Sequence, residues 1–183
     1  MNKKTIEMYF GSDLYEAYIP ENLFSPGMGH VILSRKTKGG AVVGVAFLCD
    51  HFCLGVKDCL AFMENEAGYR ALIHRVSDNA RLTAVPAGTV KKYVTDLVQW
   101  AREIGFEPHA DYRFCSKILQ GIPIDETATF TYGKDGVPTY VNGPYEDSYR
   151  IKQTISKLEA YKQRTGNKVD FTIIMPDLPL ELL

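Results

Sequence analysis

The residues best equipped for chemistry sit together in Phe47-Leu48-Cys49-Asp50-His51-Phe52-Cys53-Leu54-Gly55-Val56-Lys57-Asp58. An apolar run there ends in a packet of carboxylates, thiols, an imidazole and an ammonium. A carboxylate at the end of a buried strand is costly to leave unpaired, so Asp50 must reach solvent, a hydrogen-bonding loop or a cation. Lys57 is the nearest natural counter-charge, and Asp58 can cap whatever follows. Cys53 has the chemistry of a nucleophile, with His109 as base and Asp111 or Asp50 as orienter, because a thiolate needs a partner that takes its proton. Flanked by Phe52 and Leu54, the same cysteine also suits the role of a small buried hydrophobe. Asp50, Asp58 and Asp111 have the ligand chemistry of a hard-cation site with several waters retained. A zinc site from Cys49, His51, Cys53 and Cys59 is disfavoured, since paired C-x2-C units are absent and strand alternation sends neighbouring side chains apart. No metal ligand set is assigned, and no cofactor is identified.

Two later stretches are placed to face this packet. His109 follows the helix-stopping Gly105 in a loop, with Asp111 two residues on, a pairing suited to acid-base work or to pinning the loop. Tyr140, Asn142 and a turn at Pro144-Tyr145 add aromatic and amide groups able to line a cleft, although Gly133, Gly136, Gly143 and Pro144 also satisfy turn geometry. The candidate set is therefore Asp50, Cys53, Lys57, His109 and Asp111 for chemistry, with Asp58, Tyr140 and Asn142 for ligand binding.

These groups require a scaffold. His30 to Arg35 and Ala41 to Cys49 are rich in Val, Ile, Leu and Phe and are joined through Gly39-Gly40, which predicts a hairpin. Both alternating sets of the second strand are apolar (Val43, Val45, Phe47; Val42, Ala46, Leu48), so that strand is expected to be central and covered on both faces. Glu66 to Val76 has helical spacing in Tyr69, Leu72, Ile73 and Val76. The strongest helix carries Val90, Val94, Leu97, Ala101 and Ile104 at steps of four and three, between Pro86 and Gly105. A short helix is expected over Arg113 to Leu119. Ala128 to Tyr132 and Thr139 to Val141 predict a second hairpin around Gly133-Lys134-Asp135-Gly136, followed by a helix from about Asp147 to Arg164. Val169, Phe171, Ile173 and Met175 alternate as a half-buried last strand. Residues 1–27 lack a clean period and read as an irregular lead-in, with Ser12-Asp13 capping a short turn.

The expected architecture is α+β: a mostly antiparallel sheet built from two hairpins and a C-terminal strand, with helices packed on it. With 183 residues, 45% hydrophobic and 23% charged, one domain spanning 1–183 is expected. A net charge of -1 disfavours the broad basic surface of a nucleic-acid binder. Lys91, Lys92, Lys152, Lys157 and Lys162 read as solvated helix faces. The basic start is not followed by the apolar core of an export leader, and the run Ala41 to Cys49 is about half of what a membrane helix needs. Four cysteines in a chain of this size read as reduced thiols, so a cytoplasmic location is expected and membrane association is not.

The central run resembles the signature of an uncharacterised bacterial protein family, F-L-V-D-x-x-C-L-G-V-K-[DN]. Gly105-Phe106-Glu107-Pro108-His109-Ala110-Asp111-Tyr112 is similar to its G-F-x-P-H-x-D-[FY]. Tyr132 to Pro144 is similar to its F-G-x-D-G-x-P-x-Y-x-x-G-P. The resemblance covers about residues 28 to 175. It implies a shared set of site candidates and no reaction. Relatives of the pattern are sometimes joined to a small metal-binding module of the SEC-C type, and no such module is expected within residues 1–183. Cys49 stands where the pattern has Val, and His51 at a variable place, so neither is taken as functional. The expected function is an accessory or binding domain with a polar cleft for a partner segment or small ligand. The alternatives are a hydrolase-type enzyme, using Cys53 and His109 or an aspartate-held metal, and a weak nucleic-acid binder.

Overall fold

A computed structural model describes residues 2–23, 25–78, 80–143 and 146–173. In chain order the elements are α1 (Lys3–Glu7), β1 (Asp13–Pro20), β2 (Met28–Lys36), β3 (Val42–Asp50), β4 (Gly55–Glu64), α2 (Glu66–Ser77), β5 (Leu82–Ala84) and α3 (Ala87–Ile104). They continue with α4 (Tyr112–Cys115), a single 3-10 turn (Ser116–Leu119), β6 (Thr139–Val141), α5 (Ser148–Thr165) and β7 (Asp170–Thr172). The class is α+β. Five strands form an antiparallel sheet in the order β4-β3-β2-β1-β5, with helices packed on it.

The doubly apolar β3 sits inside that sheet, and the two apolar sets meet different helices. Val43, Val45, Phe47 and Cys49 face α3, which buries Val90, Tyr93, Val94, Leu97 and Val98 against them. Val42 and Ala46 face α2, where they join Ile32, Phe62 and Tyr69. The helix α3 ends as its sequence dictates: Gly105 takes the left-handed conformation (φ 118°) and its N–H returns to the carbonyls of Ala101 and Arg102. That stop aims Phe106 to Asp111 back at β4.

Several expectations are corrected. Residues 1–27 are not an irregular lead-in, because α1 and β1 occupy much of them, and β1 buries Ala17 and Ile19. Residues 55–58 belong to β4, so the loop after Asp50 is only His51 to Leu54. The turn at 133–136 forms, with Asp135 at φ 54° and a bridge between Lys134 and Val137, but residues 128–132 make no strand with β6. Instead β6 pairs in parallel with β7 in a separate two-stranded sheet, and β7 is exposed along its length. Met175 and the Pro144-Tyr145 turn lie outside the described residues.

Candidate functional site

The strand β3 ends at Asp50, and the chain reverses through four residues so that Asp50 pairs with Gly55 across the hairpin. So tight a reversal leaves loop N–H groups needing acceptors. Asp50 supplies one: its Oδ1 accepts the N–H of Phe52 at 3.1 Å and of Cys53 at 2.9 Å. Asp50 is 8% exposed. Burial pushes its pKa up from the usual range, opposed by the charge of Lys57 and by the loop N–H groups. Lys57 is an extra residue in β4: Leu48 pairs with Asp58 and Cys49 with Val56, so Lys57 bulges out of the ladder. The bulge turns Lys57 onto the same cleft as Asp50.

The third sequence motif closes that cleft. The N–H of Gly133 donates to the His51 carbonyl at 2.9 Å, and that of Thr139 to the Phe52 carbonyl at 2.8 Å. The hairpin loop is thereby stitched between the 133–139 stretch and Gly27, whose carbonyl accepts the His51 N–H. Only glycine fits there: its φ is +74° and a Cβ would lie 2.3 Å from the Phe52 ring. The result is a cleft of about 230 Å³, with Asp50 and Lys57 facing Thr139, Asn142 and Gly143. Asn142 is buried and donates from Nδ2 to the Gly143 carbonyl at 3.2 Å. Tyr140 points the other way, into a core with Cys53, Ala101, Ile104 and Leu158, so it does not line the cleft.

His109 and Asp111 come close to β4 without entering this cleft. The His109 N–H donates to the Val56 carbonyl at 2.9 Å, and its Nδ1 accepts the Asp111 N–H at 3.2 Å while standing 3.6 Å from Asp58 Oδ1. Asp111 pairs through its carboxylate with Lys3, which holds its pKa below the usual range. His109 and Asp111, expected to face the packet at 47–58, meet it at Val56 and Asp58 and do not line the cleft. The loops are neighbours, but the cleft belongs to the first and third motifs.

The chemical alternatives change accordingly. Cys53 is fully buried, and burial raises its pKa beside the negative charge of Asp50, which removes the thiolate that a Cys53–His109 nucleophile requires. The aspartates are also dispersed. Asp50 organises the hairpin, Asp58 accepts its neighbour Cys59 N–H at 2.7 Å, and Asp111 pairs with Lys3. Among the described residues no three His, Cys, Asp or Glu side chains converge on a metal position.

Sequence reasoning passed over His51, which is fully buried. Its Nε2 lies 2.8 Å from the Thr131 carbonyl, and a carbonyl only accepts, so Nε2 carries the proton and Nδ1 faces the Tyr93 hydroxyl at 3.2 Å. The ring stacks on Tyr93, and burial lowers its pKa. A variable place in a pattern gave no signal for this role, which ties the hairpin loop to α3 and to the third motif.

Asp50 yields a prediction with a definite sign. A carboxyl whose folded pKa is raised takes up its proton in the folded state before the unfolded chain does, so its share of stability grows as pH falls through that raised pKa. Asp50→Asn keeps an oxygen acceptor for Phe52 and Cys53 and removes the charge. The stability of wild type relative to Asp50→Asn, from urea midpoints, is expected to improve as pH falls from 7 toward the ordinary aspartate range. A gap that widens against wild type on acidification would place the Asp50 pKa on the other side of its ordinary value.

Comparison of the chain with models of known families, with curated proteins and with solved structures finds no match. No described helix is long and apolar enough to cross a membrane.

Proposed function

We propose that this chain is a cytoplasmic accessory domain that binds a small polar ligand, or the tip of a partner segment, in the cleft between Asp50, Lys57 and the 139–143 stretch. The observation that carries the reading is the pairing of a buried carboxylate with an ammonium that makes no hydrogen bond among the described residues, both facing one cavity. Asp50 Oδ1 accepts the N–H groups of Phe52 and Cys53, so a ligand in the cleft meets the Asp50 carboxyl and the Lys57 ammonium side by side. At about 230 Å³, the cleft lies below the roughly 300–1,000 Å³ of drug-sized sites. That size suits a small molecule or one inserted side chain. Cys53, the thiol nearest the cleft in sequence, is fully buried, which favours binding through Asp50 and Lys57 over thiol chemistry.

The test is mild purification from the native host followed by native mass spectrometry, with Lys57→Met in parallel. Wild type is expected to carry a small adduct or a partner, and Lys57→Met to lose it while melting within a few degrees of wild type. Wild type that emerges with neither removes the reading.

A further inference from the structure

The strand β4 is the long edge of the sheet, and the direction of its unpaired backbone groups can be worked out. The Thr37 N–H donates to the Ala41 carbonyl at 2.8 Å, which fixes the hydrogen-bonded positions of the β2–β3 ladder. Antiparallel ladders alternate, so Val43, Val45 and Phe47 bond to β2, while Val42, Gly44, Ala46 and Leu48 bond to β4. Their partners are Glu64, Phe62, Leu60 and Asp58. The backbone groups of Cys59, Ala61 and Met63 therefore point away from the sheet. Two contacts agree with this parity: beyond the bulge the outward Val56 carbonyl takes the His109 N–H, and the outward Cys59 N–H is taken by Asp58.

Those two contacts cover the start of the edge. Ala61 and Met63 have no hydrogen bond from their outward groups among the described residues. They border an open hollow of about 590 Å³ that is also lined by Ile6 of α1 and by Ala71 and Leu72 of α2. From Cys59 to Met63 the strand has no charge and no proline, the usual guards of an edge, and Leu60 is 61% exposed.

We infer that this edge pairs with the same edge of a second copy of the chain. The open groups are self-complementary: in the antiparallel register that sets Ala61 opposite Met63 of the copy, the two-fold axis passes at Phe62. Both N–H and both C=O groups of each strand then find partners. A register displaced toward Cys59 forfeits bonds, because Asp58 and His109 already hold that part. A foreign strand would leave its own outer edge open, whereas a second copy closes both edges at once. The strand at the other end of the sheet, β5, is three residues long. The pairing is short, so association is concentration-dependent.

Sedimentation equilibrium over a wide concentration range, with Leu60→Lys in parallel, tests this. Wild type is expected to rise toward twice the chain mass, with Leu60→Lys remaining at one chain mass and melting like wild type. Hydrogen exchange on wild type alone gives an independent reading, the Ala61 and Met63 amides slowing by about tenfold at concentrations where the dimer forms. Wild type that stays monomeric throughout overturns the inference. So does a dimer that leaves the exchange of these two amides unchanged.

Discussion

Replacement of Phe47 by alanine is expected to cost about 3–5 kcal/mol, among the most damaging single changes in this chain. Phe47 is fully buried in the interior strand β3, with its ring 6.3 Å from that of Tyr112 and its backbone paired to Val31 and Cys59. Truncation removes the transfer energy of the ring and leaves a cavity that cannot collapse, because β2, β4 and α3 hold its walls. Lys157 is the contrasting site. It is exposed on α5 with its ammonium 5.2 Å from the Phe106 ring, a contact worth less than about 1 kcal/mol at an exposed position. Thermal melts of Phe47→Ala and Lys157→Ala should differ widely, and the reverse ranking would mean that the strand and helix faces are wrongly assigned.

Phe47 was legible because β3 carries apolar residues on both alternating sets, a pattern only a doubly covered strand tolerates. The helix α3 was legible for a related reason: its stripe repeats over five turns and stops at a glycine. The strands β1 and β4 were not. Each has a register shift, between Leu14 and Ala17 in β1 and at Lys57 in β4. An extra residue inverts the in-out alternation partway along the strand, so neither half is long enough to announce itself. In β4 the bulge places Lys57 and Asp58 consecutively between buried Val56 and buried Cys59, which looks like a loop in the sequence.

The site shows the same division. Asp50 and Lys57 could be paired from sequence, since a strand-end carboxylate needs a partner and only one cation is near. What could not be seen is which later motif faces them. Proximity in sequence to a helix end favoured His109, but Gly105 sends that loop to the outer edge of β4, where its amide meets Val56. The 133–143 stretch reaches the cleft through backbone hydrogen bonds from Gly133 and Thr139 to His51 and Phe52. Backbone partners carry no side-chain signature, so residue types alone cannot disclose such a contact. Tyr140 was misplaced by one step of alternation: Thr139 and Val141 line the cleft, and Tyr140 faces the core.

The second large effect is expected at Arg35, a charged residue that is 7% exposed in the sheet. No carboxylate reaches its guanidinium among the described hydrogen bonds. Carbonyls do: Nη1 donates to Ser12 at 2.8 Å, Nη2 to Ile118 and Gln120 at 3.0 Å each, and Nε to Ile118 at 3.3 Å. Ile118 and Gln120 lie at the C-terminal end of the 3-10 turn, where helical carbonyls lack intrahelical partners and carry the negative end of the dipole. One planar fork thus supplies donors to groups from two distant segments and clamps residues 12 and 118–120 onto β2. Arg35→Met fills most of the volume but leaves the buried Ile118 carbonyl unsatisfied and the others weakened, so a loss of about 3 kcal/mol is expected. Arg35→Lys should recover only part of it, because a single ammonium cannot span the three acceptors in the fork's geometry. Urea midpoints give the stability, and hydrogen exchange of the amides of residues 116–122 reports whether the turn has come loose. If Arg35→Met unfolds at the wild-type midpoint with those amides unchanged, the carbonyls are satisfied by solvent and Arg35 is no clamp.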